Sequence, residues 1–340
     1  MLKTAFIGVG GISGVHLNHL KTRKDVKIAA LCDMNEQNLD KRQKEFGGER
    51  YTDFRLMLDE VKPDAVWLCT PPLVRGGPLI ECARRRIPVF CEKPVERDVV
   101  RARKIASTLA RLKARVQIGY VFRTQAMVQL FKKASADDKI HVLQSFYGCG
   151  VSLNMALPAW FYEKEKSGGA LVDQATHNLD LLRYLFGEVR EILGAAENPV
   201  HKKKKGYTVD EALSMTLRFE DGAVGSHLHT WVGDAWRNEI MLSGEKRLYR
   251  LLLGKRRLVV EGPDAALKPI KKMFRGPRGP NGELVFEDKG NFYGYENDIF
   301  LDQVKSGKWG ENPSDYADGL KSLELTVACD KAVTKGRAVL

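Results

Sequence analysis

Short apolar segments and longer polar segments alternate along the first third of the chain. The apolar segments are nearly continuous, which is typical of strands buried on both faces of a parallel sheet. In chain order they are TAFIGV, VKIAALCD, DAVWLCT, IPVFCE and RVQIGYVF. The segments between them are predicted as helices that run from Ile12 to Lys21, Asn35 to Phe46, Phe54 to Val61, Leu79 to Arg86 and Arg97 to Lys113. This alternation predicts an α/β domain over residues 1–122.

The pattern changes after the last of these strands. One apolar helix is predicted from Ala170 to Phe186, and polar and apolar residues alternate from Arg190 to Val260, with a hairpin signal at Asp221-Gly222. The segment FRGPRGPNGEL is predicted as an irregular loop. Residues 123–340 should therefore form an α+β domain with a large, mostly antiparallel open sheet. Its C-terminal helices, about residues 295–335, are expected to pack back toward the first domain.

Composition and charge narrow the functional class. The 340 residues carry a formal net charge of +12, but the basic residues are scattered and little interleaved with aromatic ones, so no nucleic-acid partner is expected. No apolar stretch is long enough to span a membrane, and the N-terminus lacks the pattern of a secretory leader. The six cysteines form no C-x-x-C pair, which indicates reduced thiols and a cytoplasmic protein.

A glycine-rich turn follows the first predicted strand, in AFIGVGGISGVH. A dinucleotide-binding turn needs one glycine for the bend, a second where the backbone approaches the pyrophosphate, and a small third residue where helix and strand pack. Gly8, Gly10 and Ser13 fit these positions, and the helix that follows offers its N–H groups to phosphate. The predicted cofactor-binding residues of this turn are Gly8, Gly10, Gly11, Ile12 and Ser13. A glycine-rich bend that binds no ligand is the alternative.

Asp33 ends the second strand, 20 residues after Ser13. A carboxylate at this position can accept hydrogen bonds from both ribose hydroxyls of the adenosine half of a dinucleotide, and it would repel a 2′-phosphate. The position therefore favours NAD over NADP. A solvated aspartate, or a cap for the next helix, is the alternative.

Lys93 follows another strand of the same predicted sheet, in the sequence CEKPV. Ligands of open α/β sheets bind at the carboxyl ends of the strands. An ammonium group there can polarise a carbonyl or hydroxyl oxygen, or stabilise charge as it develops. Pro94 restricts Lys93 to an extended conformation. Taken alone, a lysine at a strand end is more often simply solvated.

The apolar helix predicted from Ala170 to Phe186 carries a polar stripe. At helical spacing, Asp173 and His177 lie one turn apart and can act on one substrate, and histidine is the usual general acid or base near neutral pH. A structural histidine inside a helix–sheet interface is the alternative. His227 and His229 share a strand face, but no third ligand is evident nearby, so no metal site is predicted.

Together these residues resemble the Gfo/Idh/MocA oxidoreductases, the family of glucose–fructose oxidoreductase and inositol dehydrogenase. The resemblance covers nearly the whole chain. Its motifs are the glycine turn with His16 after it, Asp33, Thr70-Pro71, Glu92-Lys93-Pro94, Gly168-Gly169, Asp173-x-x-x-His177-x-x-Asp180, and the C-terminal helices that start near Tyr295.

The resemblance implies a Rossmann domain, a second domain whose open sheet forms a homodimer or homotetramer, and hydride transfer between nicotinamide and a carbon of a sugar, inositol or related polyol. It implies that Lys93 polarises the reacting oxygen, His177 transfers the proton and Asp173 binds a substrate hydroxyl. Further cofactor contacts are expected from Thr70, Pro71, Arg75, Glu92 and Lys93, and further substrate contacts from Arg123 and Trp160.

The chain departs from the family pattern at two places. Many members have T-P-N-x-x-H where this chain has Thr70-Pro71-Pro72-Leu73-Val74-Arg75, and D-x-G-x-H where it has Ala175. Specificity is expected in the segment SLNMALPAWFYEKEKSGG and around Trp231 to Arg237, whose tryptophans could stack on a sugar or simply pack.

Three functions stay open from the sequence. The first is an NAD-dependent dehydrogenase of a carbohydrate or cyclitol. The second uses tightly bound NAD in a transient cycle of oxidation, elimination and reduction, so that a glycoside is cleaved or a sugar epimerised without net cofactor use. The third is a cofactor-binding regulator without catalysis, against which Lys93 and the Asp173/His177 pair argue.

Overall fold

Two structural units make up the chain. The computed structural model describes residues 1–154, 157–233, 236–310 and 312–340; residues 155–156 and 234–235 of the predicted substrate segments and residue 311 of the predicted C-terminal helical region lie outside the described residues. The first unit comprises Met1–Val121 and Asn291–Leu323, and the second comprises Phe122–Gly290 and Glu324–Leu340.

The first unit contains a six-stranded parallel sheet in the order β3-β2-β1-β4-β5-β6. Its strands are β1 (Leu2–Ile7), β2 (Val26–Cys32), β3 (Glu49–Tyr51), β4 (Ala65–Leu68), β5 (Val89–Cys91) and β6 (Val116–Ile118). The strand order runs outward in both directions from β1 and β4, which creates the switch point where open α/β sheets bind ligands. The predicted Rossmann-type sheet is confirmed.

Helices connect these strands, and side-chain caps define several of their starts. Asn35 accepts hydrogen bonds from the backbone N–H groups of Gln37 and Asn38, and Asp53 accepts one from Arg55, as expected for N-cap residues. The helices of the first unit are α1 (Ser13–Lys21), α2 (Glu36–Phe46), α3 (Phe54–Val61), α4 (Gly76–Arg84), α5 (Val99–Arg111) and, from the C-terminal part of the chain, α11 (Gly294–Ser306).

An aromatic cluster forms much of the core of the first unit. The rings of Phe6 and Trp67 stack at 5.6 Å between centroids, and Phe300 of α11 meets Trp67 edge-on at 5.0 Å. All three side chains are fully buried, and each buried aromatic ring contributes about 1.5–3 kcal/mol through burial. Helix α11 is therefore an integral part of this unit, although it follows β1 by almost the whole chain length.

The second unit contains a nine-stranded sheet in the order β14-β13-β12-β11-β7-β10-β9-β8-β15. Among the described strands, β7 and β10 pair in parallel and the other neighbours pair antiparallel. The strands are β7 (Ile140–Gly148), β8 (Val189–Glu197), β9 (Ala212–Phe219), β10 (Val224–Thr230), β11 (Arg237–Gly244), β12 (Leu248–Leu252), β13 (Arg257–Glu261), β14 (Leu284–Glu287) and β15 (Arg337–Val339). The mostly antiparallel sheet is as predicted.

The helices of the second unit are α6 (Ala126–Ala134), α7 (Val151–Asn154), α8 (Lys164–Ser167), α9 (Thr176–Phe186) and α10 (Asp264–Leu267), and α12 (Tyr316–Lys335) begins in the first unit and ends in the second. The predicted hairpin at Asp221-Gly222 joins β9 to β10. Gly222 has a φ of 94° there, a value that glycine adopts without strain.

Two predicted elements differ in the structure, and one short strand was not predicted. The strand RVQIGYVF ends at Ile118, because the N–H of Tyr120 donates to the Ile118 carbonyl, and a 3₁₀ turn follows at Val121–Thr124. The first part of the apolar helix is a π-helical turn, Leu171–Ala175. Near the C-terminus, the strand β15 pairs with β8. With only three residues, β15 is too short to show an alternating pattern in the sequence.

All six cysteines are buried and free of disulfide bonds. Within the described part of the chain, no helix is both long and apolar enough to cross a membrane.

Candidate functional site

The turn after β1 has the shape that the glycine pattern predicts. Gly8 has a φ of 85°, and a Cβ atom there would lie 2.7 Å from the backbone nitrogen of Thr70, so that no larger residue fits. Nothing lies within 4 Å of a Cβ built on Gly10 or Gly11. The backbone at these two residues is therefore open to a ligand, as a pyrophosphate site requires.

Helix α1 begins directly after this turn. Its N-cap residue, Ile12, provides no side-chain cap. The N–H groups of Gly14 and Val15 donate to the carbonyls of Gly11 and Ile12 at 3.1 Å, so an anion at the turn would be attracted mainly by the positive end of the helix dipole. Ser13 is fully buried and its hydroxyl donates to the Gly10 carbonyl at 2.7 Å. Ser13 is thus the small packing residue of the turn, and the residues fit a dinucleotide phosphate.

Asp33 is held in place by two backbone hydrogen bonds. Its Oδ2 atom accepts from the N–H of Val9 at 2.8 Å, and its Oδ1 atom accepts from the N–H of Asn35 at 2.9 Å. The carboxylate therefore has a fixed orientation at the end of β2, beside the glycine turn. Each carboxylate oxygen retains further acceptor capacity for a ribose hydroxyl.

Arg42 donates hydrogen bonds to the glycine turn, a contact that the sequence did not predict. From α2 its Nη2 atom donates to the Gly10 carbonyl at 3.0 Å, and its Nε atom to the Val9 carbonyl at 3.3 Å. A Cβ on Gly14 would come within 2.7 Å of this guanidinium. Gly14 therefore leaves room for Arg42, which no local pattern indicates.

Arg75 points toward main-chain carbonyls. Its Nε and Nη2 atoms lie 2.9 Å and 2.7 Å from the Thr70 carbonyl oxygen, and its Nη1 atom donates to the carbonyls of Glu92 and Pro94. The residue is 4% exposed. Arg75 thus ties the end of β4 to the end of β5, while its predicted contact with the cofactor stays a prediction, as do those of Thr70 and the exposed Pro71.

Lys93 is half-buried at the carboxyl end of β5, where the Lys93–Pro94 peptide bond is cis. The neighbouring Glu92 is buried; its Oε1 atom lies 2.9 Å from Nε2 of His16, and its Oε2 atom accepts from the N–H of Lys93 at 3.1 Å. Burial raises the pKa of Glu92, but the hydrogen bond from His16 and the nearby positive charges outweigh burial and hold that pKa below its ordinary value. In the structure the carboxylate of Glu92 is therefore hydrogen-bonded to the ring of His16 and to the backbone of Lys93.

Asp173 and His177 lie on consecutive turns of the second unit. Asp173 is in the π-helical turn and His177 is in the first turn of α9; both are half-buried. The ring of His177 lies 5.4 Å from that of Phe122. Turns of this kind are frequent at functional sites.

Tyr147 lies in an alternating strand, and no motif in the sequence marks it as a site residue. Burial raises its pKa to about 12, and the charge of Asp173 acts in the same direction. Its ring meets those of His229 and Trp236 edge-on, at 5.1 Å and 6.4 Å between centroids. Tyr147 therefore belongs to the surroundings of Asp173.

Arg123 is engaged by Asp180, one turn after His177. Its guanidinium makes two contacts with the Asp180 carboxylate and lies over the ring of Tyr184, 4.8 Å from its centroid. Arg123 is 2% exposed. The polar stripe of α9 thus has buried partners, as a buried polar side chain requires, and a direct role of Arg123 in substrate binding stays a prediction.

The three tryptophans expected near the substrate differ in exposure. Trp160 and Trp236 are 50% and 47% exposed, whereas Trp231 is fully buried. Trp231 stacks on Phe161 at 5.3 Å and donates from Nε1 to Oε1 of Gln174 at 2.6 Å. Trp231 is therefore a packing residue, and Trp160 has the surface to contact a ligand.

His227 and His229 are buried in the sheet of the second unit. Nδ1 of His227 lies 2.9 Å from the hydroxyl of Ser145, whereas Nε2 of His227 and both ring nitrogens of His229 have no hydrogen-bond partner among the described residues. Burial lowers the pKa of His227 to about 3 and that of His229 well below its ordinary value. Both rings are therefore neutral at physiological pH.

One set of potential metal ligands occurs in the part of the chain that the structure describes. His16, Glu92 and Glu296 each bring one ligand atom to within 4.8 Å of the others. Two of them, His16 and Glu92, are hydrogen-bonded to each other, whereas the carboxyl oxygens of Glu296 have no hydrogen-bond partner among the described residues.

The comparisons with known proteins agree with this architecture. Residues 2–120 match the family model of oxidoreductases with an NAD-binding Rossmann fold, and residues 121–250 match the GFO/IDH/MocA C-terminal domain. The chain is 28% identical over 346 residues to a myo-inositol 2-dehydrogenase of Thermotoga maritima, covering 99% of this chain and 98% of the relative.

Solved structures share the fold along the whole chain. A myo-inositol 2-dehydrogenase from Lactobacillus plantarum superposes with a TM-score of 0.81 at 22% identity, covering 100% of this chain and 99% of that one. The WlbA dehydrogenase from Bordetella pertussis, in complex with NADH and UDP-GlcNAcA, gives a TM-score of 0.79 at 22% identity, covering 100% and 98%. The glycine turn, the two sheets and the family models together show that this chain belongs to the Gfo/Idh/MocA family of NAD-binding oxidoreductases.

Proposed function

We propose that this protein oxidises a CH–OH group of a sugar, an inositol or a related polyol with NAD as the hydride acceptor. The observation that carries the proposal lies in the first unit. The glycine turn follows β1, Asp33 follows β2 and Lys93 follows β5 of one parallel sheet. Carboxyl ends of parallel strands share one edge of the sheet, so a cofactor turn and an ammonium group lie on the same side of this unit.

The proposed roles follow from the chemistry of each side chain. NAD⁺, when bound, accepts the hydride from the carbinol carbon. The ammonium group of Lys93 donates a hydrogen bond to the reacting oxygen and stabilises negative charge as the hydroxyl proton leaves. The imidazole of His177 accepts that proton, and the carboxylate of Asp173, one turn before it, orients a substrate hydroxyl.

Asp33 supports a preference for NAD over NADP. Its carboxylate is fixed beside the glycine turn by the N–H groups of Val9 and Asn35. A 2′-phosphate at this place would meet a negative charge, whereas a ribose hydroxyl would donate a hydrogen bond to it.

The substrate class rests on the relatives. The similar proteins include inositol 2-dehydrogenases, a glucose-6-phosphate 3-dehydrogenase of Bacillus subtilis and a D-glucoside 3-dehydrogenase of Escherichia coli. We therefore propose a cyclitol or a hexose derivative, with Trp160 as an exposed aromatic surface against which the apolar face of a sugar ring can pack.

We also propose that the nine-stranded sheet pairs with a second copy of the chain. Val142 and Val224 face each other on β7 and β10, and both are more than two-fifths exposed, as is Met241 of β11. Exposed apolar side chains grouped on one sheet face are typical of protein interfaces. Light scattering of the purified protein tests this, with a monomer mass as the contradicting result.

The test of the proposed function is a panel of inositols, hexoses, hexose phosphates and glycosides, each supplied with NAD⁺ or NADP⁺. Reduced cofactor is followed by absorbance, and product is quantified separately. We expect one NADH for each product molecule with at least one compound. Product without net NADH would instead support the redox-neutral cycle.

Matched variants link that activity to the proposed residues. We expect Lys93→Met and His177→Asn to lower kcat by about 100-fold or more, because general acid–base and electrostatic assistance typically contribute 10²–10⁴-fold. Lys24→Met and His141→Asn, at exposed positions, serve as controls. Full activity of both site variants would contradict the assigned roles.

A further inference from the structure

The peptide segment that carries Lys93 is held by hydrogen bonds with two buried side chains, those of Arg75 and Glu92. On one side the guanidinium of Arg75 donates to the carbonyls of Glu92 and Pro94, the residues that flank Lys93. On the other side the N–H of Lys93 donates to Oε2 of Glu92. The position of the Glu92 carboxylate therefore sets the position of the Lys93 backbone.

A chain of buried side chains reaches from the C-terminal helix α11 to this carboxylate. Asn297 of α11 accepts from Nε1 of Trp67 at 2.7 Å and donates from Nδ2 to the Tyr293 carbonyl at 2.7 Å. Its Nδ2 atom also lies 3.0 Å from Nδ1 of His16. The side chains of Trp67, Asn297 and His16 are fully buried, so water does not compete for these contacts.

The partners of His16 select one tautomer. An ionised carboxylate can only accept hydrogen bonds, so the nitrogen that faces Glu92, Nε2, carries a proton. Nδ1 lies 3.0 Å from Nδ2 and 3.1 Å from Oδ1 of Asn297, and in the neutral ring it accepts from the amide N–H. With Asn297 oriented by Trp67 and Tyr293, each donor in the chain meets an acceptor, from the indole N–H of Trp67 to Oε1 of Glu92.

A second carboxyl group beside this chain is kept neutral. Glu296 is 1% exposed, and both of its carboxyl oxygens lack a hydrogen-bond partner among the described residues. Burial, reinforced by the charge of Glu92, raises the pKa of Glu296 well above its ordinary value. Glu92 therefore remains the charged member of the carboxyl pair, which is the form that accepts from both His16 and Lys93.

We propose that His16 and Asn297 are positioning residues for Lys93 and act on it through the carboxylate of Glu92. The proposal rests on the proposed function, in which Lys93 polarises the reacting oxygen. His16 and Asn297 have no proton-transfer role in it. They fix the backbone from which the ammonium group extends, and they make helix α11 part of the catalytic framework of the first unit.

Two substitutions of His16 separate this role from simple packing. A glutamine places an amide N–H where Nε2 of the imidazole lies and can keep the hydrogen bond to Glu92. An asparagine is shorter; it can meet Asn297 but does not reach Glu92. Both are neutral amides in one cavity, so a purely structural role predicts similar behaviour of the two.

The first measurement does not depend on turnover. Backbone hydrogen exchange of peptides that cover residues 92–95 is followed by mass spectrometry in the full-length protein without cofactor. We expect His16→Asn to speed exchange at Lys93 by about tenfold or more, and His16→Gln to leave it within about threefold. His19→Asn is the matched control, because His19 joins the same two helices through Asp298, at 2.8 Å, near the surface.

The second measurement is steady-state kinetics with the substrate that the panel identifies. We expect His16→Asn to lower kcat by about 10–100-fold while the KM for NAD⁺ changes little, and His16→Gln to retain most of kcat. Glu92→Gln is an isosteric change that removes one of the two acceptor oxygens, so it should lower kcat as His16→Asn does. It replaces His16→Asn as the test variant if His16→Asn does not fold. Unchanged exchange in both His16→Asn and Glu92→Gln would overturn the proposal.

Faster exchange with undiminished kcat would also overturn it. If Lys93→Met keeps full activity, the catalytic role of Lys93 in the proposed function fails, and the positioning role with it. The exchange data would then still report whether His16 holds the segment, so the two failures can be told apart.

Discussion

Arg123 and Asp180 form a buried, bidentate ion pair. Nε of Arg123 lies 2.8 Å from Oδ2 of Asp180, and Nη2 of Arg123 lies 2.5 Å from Oδ1. The exposed fractions of their side chains are 2% and 1%. Asp180 is one helical turn after His177, so the pair anchors the helix that presents the proposed proton acceptor.

Removing one partner of this pair should destabilise the protein strongly. We expect Asp180→Asn to lower the free energy of unfolding by about 3–5 kcal/mol, because a buried guanidinium then lacks its counter-charge. Denaturation by urea measures this. The double variant Arg123→Leu with Asp180→Leu should lose less than the sum of the single changes. A loss under about 1 kcal/mol for Asp180→Asn would show that the pair does not anchor α9.

Asp33 should control the choice between the two nicotinamide cofactors. Asp33→Asn removes the charge that the ribose hydroxyls meet, and hydrogen bonds to charged groups contribute about 1.5–3 kcal/mol. We therefore expect kcat/KM for NAD⁺ to fall by roughly 10–100-fold while the ratio of NADP⁺ to NAD⁺ use rises. Glu36→Gln, an exposed change in the first turn of α2, is the control. An unchanged cofactor ratio would contradict this assignment.

The buried histidines of β10 should make the protein sensitive to acid. The folded-state pKa of His227 is about 3, below the ordinary value of about 6.5. The stability that a neutral buried histidine contributes is present above pH 6.5 and is lost as the pH falls toward 3. Between pH 6.5 and 4.5 this accounts for about 2 kcal/mol at His227, since one pKa unit corresponds to about 1.4 kcal/mol.

His229→Phe tests this directly, because it replaces two unpartnered ring nitrogens with an apolar ring. We expect the fall in the free energy of unfolding between pH 7 and 4.5 to be smaller in the variant than in wild type. His141→Gln, at an exposed histidine, should leave the fall unchanged. An identical fall in wild type and His229→Phe would contradict the neutral state of His229.

Glu296 should make the free energy of unfolding fall as the pH rises, which is opposite to the effect of the buried histidines. Its pKa is raised in the folded protein, so the folded state binds the proton more tightly than the unfolded chain, and stability falls as the pH rises above about 4.5. Glu296→Gln keeps the shape of the neutral acid. We expect its stability relative to wild type to increase steadily as the pH rises from 5 to 7. A difference independent of pH would show that Glu296 is charged when folded.

Much of the fold could be predicted from the sequence because its signals are local. The cap at Asp53 and the hairpin glycine Gly222 each depend on a few neighbouring residues. The apolar runs predicted the parallel sheet for the same reason, since burial on both faces excludes polar side chains along a whole strand. The π-helical turn at Leu171–Ala175 escaped prediction, because the apolar spacing of one turn does not distinguish α from π winding.

The candidate site could be predicted only in part. The motif residues Gly8, Asp33 and Lys93 follow strand ends, which a pattern of strands can locate. The residues that hold these motifs in place are distant in the sequence or lie on another element. Asn297 contacts His16 across 281 residues, and Arg42 reaches the glycine turn from the next helix. Such contacts depend on how elements pack, and no spacing within one segment reports them.

The most direct test of the central claim follows the hydrogen that the proposed reaction moves. The substrate identified by the panel is prepared with deuterium at the carbon to be oxidised and is turned over with NAD⁺. We predict one deuterium at C4 of the nicotinamide in each NADH released, together with one oxidised product. Product that forms while the released cofactor carries no deuterium, or while no reduced cofactor is released, would contradict the account.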